Sequence, residues 1–118
     1  MKCGAVFDGI GAFLEVDLAY FDLVSKSYVP KVPKFAEMLE VVSIGGNIAL
    51  LADTEDRIIH MHTGIGTTQF NGYGGHIIDA VVGPALEIKL WKLSKQMYRK
   101  VDLETGLPLL DLSRKLKG

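Results

Sequence analysis

The chain contains three histidines, His60, His62 and His76, all within 17 consecutive positions. In a β-strand, residues two apart share a face, so His60 and His62 would project together, about 6.6 Å apart along the chain at ~3.3 Å per residue. His76 opens the next extended segment, after a glycine-rich turn. Pairing of the two segments would bring its ring to the other two. Three neutral imidazoles form a ligand set for zinc or another divalent transition metal, with one coordination position left for water, a substrate or a partner's carboxylate. The same residues also suit a hydrogen-bonded polar cluster or a contact between subunits, and residue types alone leave these readings open. Asp79, three positions past His76, falls on the opposite face of a strand, so it is set aside as a direct ligand. A bend in the strand would let it support one from behind.

Other chemistry-bearing residues lack the neighbours their chemistry needs. Asp53, Glu55 and Asp56 do not have the spacing of the roughly twelve-residue calcium loop and read as a solvated turn. The pairs Gly9/Gly11 and Gly64/Gly66 lack the third glycine and the helix start of a dinucleotide-binding loop. Ser43 has no nucleophile-elbow sequence around it. Cys3 is the only cysteine, which excludes an internal disulfide and a cysteine-rich zinc site. Trp91, between Lys89 and Lys92, could stack on a base. At the end of a half-buried strand, packing under a loop or at a subunit contact is the stronger expectation.

The segments that must position the histidines read as strands. Residues 5–18 form an apolar stretch interrupted by Gly9-Ile10-Gly11, consistent with two strand pieces joined by a bend. Pro30 and Pro33 bracket a connection. Residues 34–40 could start a helical turn, but Leu39-Glu40-Val41-Val42-Ser43-Ile44 has strand character, and Gly45-Gly46-Asn47 is expected to bend it. Asp53-Thr54-Glu55-Asp56 turns the chain into a returning strand over residues 57–64, a hairpin. Asn71-Gly72-Tyr73-Gly74-Gly75 is the strongest turn signal. A strand over residues 76–82 follows, ended by Gly83-Pro84. Another spans residues 85–92, with Leu86, Ile88 and Leu90 on its buried face and Glu87 and Lys89 on its wet face. Residues 92–100 fit either strand or helix. Consecutive strands and short turns predict antiparallel pairing, with no strand–helix–strand alternation.

Length, composition and charge set the outer bounds. A chain of 118 residues with 48% apolar and 23% charged side chains is expected to form a single domain over residues 1–118, with residues 93–118 as a carboxyl-terminal extension. No stretch approaches the ~18 apolar residues of a membrane helix, and Asp8, Glu15 and Asp17 break the amino-terminal run that a signal peptide would need. With one cysteine, a reducing cytoplasm is the expected compartment. Residues 1–88 hold 5 basic and 11 acidic side chains, whereas residues 89–118 hold 8 and 3. That basic excess suits phosphate, or the acidic body of a neighbouring subunit.

Taken in order, several of these segments resemble the plant and prokaryote conserved (PPC, or PCC) domain family in its free-standing prokaryotic type. The resemblance covers residues 4–91. It is carried by Gly9-Ile10-Gly11-Ala12, Tyr20-Phe21-Asp22, residues 39–48, and above all Ile59-His60-Met61-His62 followed by Gly74-Gly75-His76-Ile77-Ile78-Asp79-Ala80. Asp102-Leu103-Glu104-Thr105-Gly106-Leu107 resembles the tail of prokaryotic members. The resemblance implies an α+β fold dominated by an antiparallel sheet with little helix, assembled as a homotrimer, and the three histidines match the family motif. Family members usually begin with a strand and a helix ahead of the segment matching Gly4-Ala5-Val6. The chain is therefore expected to lack that layer, with a neighbouring subunit over the exposed face. Plant members add AT-hook motifs, and prokaryotic members are often labelled DNA-binding by analogy; no Arg-Gly-Arg-Pro hook is present here.

Three functions follow from this reading. The first is a self-associating, trimer-forming binding domain with a three-histidine metal site. The second is a DNA-associated regulator using the basic residues from Lys89 to Lys100. The third is an enzyme whose metal activates water, for which the sequence names neither a general base nor a substrate.

Overall fold

Runs of β-branched and aromatic residues, punctuated by glycine, favour extended backbone throughout. The computed structural model describes residues 4–113, leaving Cys3 and the last five residues of the 93–118 extension outside the description. The strands are β1 (Ala5–Asp22), β2 (Ser27–Pro30), β3 (Phe35–Leu51), β4 (Arg57–Gly66), β5 (Gly72–Lys92), β6 (Tyr98–Val101) and β7 (Pro108–Leu110). They lie in the order β2-β1-β5-β4-β3-β6-β7, and β1 also pairs with β3. Strands β1, β5, β4 and β3 therefore close on one another. The pairing is antiparallel throughout except for a short parallel ladder of β6 on β3, at Leu50↔Tyr98 and Leu51↔Arg99.

The strand-dominated architecture matches the sequence reading, but the sheet is mixed, and the helix of an α+β fold is not found among the described residues. Residues 35–40, where a helical turn was expected, are extended. Phe35, Ala36, Leu39 and Glu40 each pair with β1 on one side, and Glu40 also pairs with Gly66 of β4. Cross-strand pairing thus overrides a local helical preference. Residues 98–100 of the ambiguous segment fall in strand β6, so the extension is tied to the body.

Several signals that read as strand ends lie inside long strands. Gly83-Pro84 sits within β5, between the pairs Phe13↔Val82 and Gly11↔Leu86, where the register shifts. In such a bulge a proline removes no ladder hydrogen bond. Gly11, across from it, is required by proximity, because a Cβ there would overlap the Ala85 carbonyl oxygen and lie 2.7 Å from Leu86 Cα. The turn expected at residues 71–75 lies earlier. Thr67 N–H donates to the Asn71 carbonyl at 2.9 Å, and the glycines from Gly72 onward are already strand.

The core is a cluster of Phe13, Val16, Leu18, Leu39, Val41, Ile44, Ile65 and Ile77, drawn from β1, β3, β4 and β5. Burying each large apolar side chain contributes about 1.5–3 kcal/mol. Thr63, also buried, donates its hydroxyl to the Ser43 carbonyl at 2.8 Å, beside the register shift between Val41 and Ser43. Thr63→Val is expected to lower unfolding free energy by about 1–2 kcal/mol in urea denaturation, because it leaves that carbonyl without its partner.

The closed part of the sheet does not bury everything apolar. Ile88 and Leu90, expected on a covered face, are 44% and 50% exposed, and Ile10, Val42, Ile78 and Trp91 are between 49% and 67% exposed. The radius of gyration is 15.7 Å with extents of 47 × 35 × 18 Å. A compact chain of this length would have a radius near 13–14 Å. Among the described residues, β5 past His76 is hydrogen-bonded to a neighbouring strand only on its β1 side.

Candidate metal centre

Strand register brings the three histidines together. Along β3 and β4, Asn47 pairs with His60 and Gly45 with His62; on the far side of β4, His62 pairs with His76 of β5. Cross-strand partners share a face. One row therefore runs Val6–Asn47–His60, and the row beside it runs Asp8–Gly45–His62–His76. Gly45 leaves a gap between Asp8 and His62. The Asp8 carboxylate turns the other way, to Lys89 Nζ at 3.4 Å.

The ring centroids lie 4.9 Å apart for His60 and His62, 5.1 Å for His60 and His76, and 5.5 Å for His62 and His76. One nitrogen from each ring falls within a 4.8 Å group. His60 Nε2 and His62 Nε2 face each other at 3.0 Å. Two nitrogens bound to one tetrahedral zinc would stand about 3.3–3.4 Å apart, given bonds of ~2.0–2.1 Å. His76 Nδ1 is buried without a hydrogen-bond partner. An orphaned buried nitrogen beside two ring nitrogens that share one hydrogen bond fits a cation, which would take the place of the shared proton. The residues present therefore suit a metal, one of the readings that the residue types left open. Asp79 is not in the group, and its carboxylate accepts a hydrogen bond from Ala80 N–H at 2.9 Å.

Burial favours the neutral form of His60 and His76. Desolvation, followed by the charges of Arg99, His62 and His76, pulls His60 down to about 4. Desolvation and then His62 lower His76 as well. The folded chain thus resists protons that the unfolded chain takes up once pH falls below about 6.5. The metal-free protein is expected to lose stability progressively from pH 6.5 toward pH 4, by about 1–2 kcal/mol after the screening due to half-exposed groups. Urea denaturation of EDTA-treated protein at several pH values measures this, and His60→Gln should flatten the profile.

Three further side chains, not singled out in the sequence, surround the cluster. Tyr28 of β2 stacks on His76, with centroids 4.2 Å apart and planes 18° apart. Asn47 lies beside His60. Arg99 of β6, counted in sequence among the basic residues available to DNA, is only 4% exposed and donates to Asn47 Oδ1 at 2.7 Å. The position of Asn47 two residues after Gly45 was visible, but nothing in sequence tied Tyr28 or Arg99 to the histidines. Trp91 is half-exposed, with Lys89 Nζ 5.7 Å from its ring.

The model of the Plants and Prokaryotes Conserved (PCC) domain matches residues 1–94. The chain belongs to the PCC family. No curated protein matches the sequence significantly. Among solved structures, a Bacteroides thetaiotaomicron protein provisionally named as DNA-binding is 27% identical, with a TM-score of 0.85 over 96% of this PCC chain and 76% of its own. A Pyrococcus horikoshii plant- and prokaryote-conserved protein is 26% identical, with a TM-score of 0.81 over 91% and 71% of the two chains. A metal-containing protein of Archaeoglobus fulgidus is 32% identical, with a TM-score of 0.78 over 92% and 74%.

Proposed function

We propose that this PCC chain is a self-associating binding domain, a homotrimer, that holds a divalent transition metal, zinc first among them, on His60, His62 and His76. The observation that carries this reading is the convergence of three imidazoles on an open part of the sheet, with His62 exposed and His60 and His76 half-buried. The metal-containing relative from Archaeoglobus fulgidus supports it. Self-association is supported by the thin shape, the exposed apolar side chains and the unpaired side of β5, since closed symmetry is the usual way to cover such edges. A threefold count follows the family expectation. Bound metal with an open position would supply Lewis-acid chemistry, while the chain's own part is to hold neutral imidazoles in place.

Light scattering and elemental analysis on one sample, purified without a histidine tag, test both halves. The expected result is three times the chain mass and one metal ion per chain. A stable monomer at micromolar concentration overturns the trimer, and substoichiometric metal at neutral pH that is unchanged by His60→Ala overturns the centre.

A second reading, DNA association, is favoured by the provisional name of the Bacteroides relative. It predicts a salt-dependent affinity for duplex DNA carried by Lys92, Lys95 and Lys100, which are exposed. No retardation of duplex at low salt with protein in large excess removes it.

A further inference from the structure

Arg99 is a buried charge without a counter-ion among the described residues. Its Nη2 donates to Asn47 Oδ1 at 2.7 Å and its Nη1 to the Pro108 carbonyl at 2.8 Å, both neutral acceptors, while Nε is buried with no partner. Burying a cation without an anion costs several kcal/mol. The placement of that cost is specific. Asn47 is the cross-strand neighbour of His60, so one side chain separates the guanidinium from the histidine cluster. Arg99 is among the charges acting on His60, and no carboxylate figures among those acting on His60, His76 or Arg99. The nearest acidic residue along the histidine row, Asp8, is paired with Lys89.

We propose that the open side of the three-histidine centre is an oxyanion site, a place for a carboxylate or phosphate group, with Arg99 as the fixed positive charge beneath it. This rests on the metal reading of His60, His62 and His76. Three neutral imidazoles leave a divalent ion's charge uncompensated, and Arg99 adds to it. An oxyanion in the remaining position relieves both, whereas a neutral ligand relieves neither. The guanidinium acts through space, held by Asn47 and Pro108 in surroundings that screen it weakly. A role confined to anchoring β7 would leave ligand preference untouched.

The test uses full-length protein loaded with cobalt(II), whose visible absorption reports changes in coordination. Sodium acetate, inorganic phosphate and neutral acetamide are titrated at constant ionic strength. Acetate or phosphate is expected to shift the spectrum and raise the melting temperature, and acetamide to do neither; the stronger oxyanion arm assigns carboxylate or phosphoryl ligands. Arg99→Met is expected to weaken oxyanion binding about tenfold with cobalt stoichiometry unchanged. Asn47→Asp keeps an acceptor for Arg99 and supplies the missing counter-ion. It should produce the same weakening, and it decides the matter if Arg99→Met does not fold. Undiminished oxyanion affinity in Asn47→Asp, or acetamide binding equal to acetate, overturns the oxyanion site while leaving the metal reading intact. Failure of the wild-type chain to take up cobalt overturns both.

Discussion

His60→Ala is expected to reduce metal affinity by more than about 100-fold and to remove most of the stabilisation that metal confers. Loss of a group that merely orients a ligand costs 10–100-fold, and loss of one of three ligands should exceed that. With zinc at about 100 times its dissociation constant, binding to the folded state alone adds about 2.7 kcal/mol. For a domain of this size that is about 10 °C in melting temperature. The wild-type chain should therefore melt about 10 °C higher with zinc than with a chelator, and for His60→Ala the difference should fall to about 2 °C or less. The variant is not expected to misfold. His60 is half-exposed, and in the metal-free chain its crowded, desolvated ring opposes folding below pH 6.5. At pH 5 without metal, His60→Ala should be at least as stable as wild type. A zinc-induced shift that survives the substitution in full would show that the metal sits elsewhere.

How much of this was legible in sequence depends on the range of the interaction concerned. The shared face of His60 and His62 follows from the period of a strand, a local property, and the structure keeps it. The approach of His76 needed only that consecutive strands pair, and it sits directly across from His62. The Asp53-Thr54-Glu55-Asp56 turn and the returning strand are likewise local, and β3 and β4 form that hairpin. Arg99 was not legible because its partners lie elsewhere in the chain: Asn47 is 52 residues away, reached only because β6 runs parallel to β3 at Leu50 and Leu51. Among basic neighbours at Lys95 and Lys100, it looked like one more surface charge.

Glycine was the other ambiguous signal, since the same residue serves a turn and a close approach between strands. Read locally, Gly9, Gly45 and Gly46 each marked a bend and Gly83 a strand end. In the structure all four lie inside strands, and long-range pairing decides what each is for. The exposed apolar residues of β5 show the same limit. Alternation separated Leu86, Ile88 and Leu90 from Glu87 and Lys89, as the register on β1 does, but it could not say that this chain leaves Ile88 and Leu90 half-exposed.

Gly45 and Gly46 allow this distinction to be measured, because the two adjacent glycines face opposite sides of one strand. A Cβ on Gly46 would overlap the His60 carbonyl oxygen, lie 2.9 Å from the His60 carbonyl carbon and press on Phe7 Cζ at 3.0 Å. None of the backbone atoms can rotate away, so β4 must shift relative to β3. Gly46→Ala is expected to cost about 3 kcal/mol or more in urea denaturation, at the upper end of the range for overpacking. Because the displaced backbone belongs to His60, metal bound per chain should fall as well. A Cβ on Gly45 meets only the Phe7 carbonyl oxygen, at 3.7 Å, an ordinary contact. Gly45→Ala should be neutral or stabilising by about 0.5 kcal/mol, through the smaller backbone entropy lost on folding. It should also leave metal stoichiometry unchanged. The contrast isolates close packing of β3 on β4 as the condition that holds His60 in register. Equal stabilities for the two variants would mean that this packing does not constrain the centre.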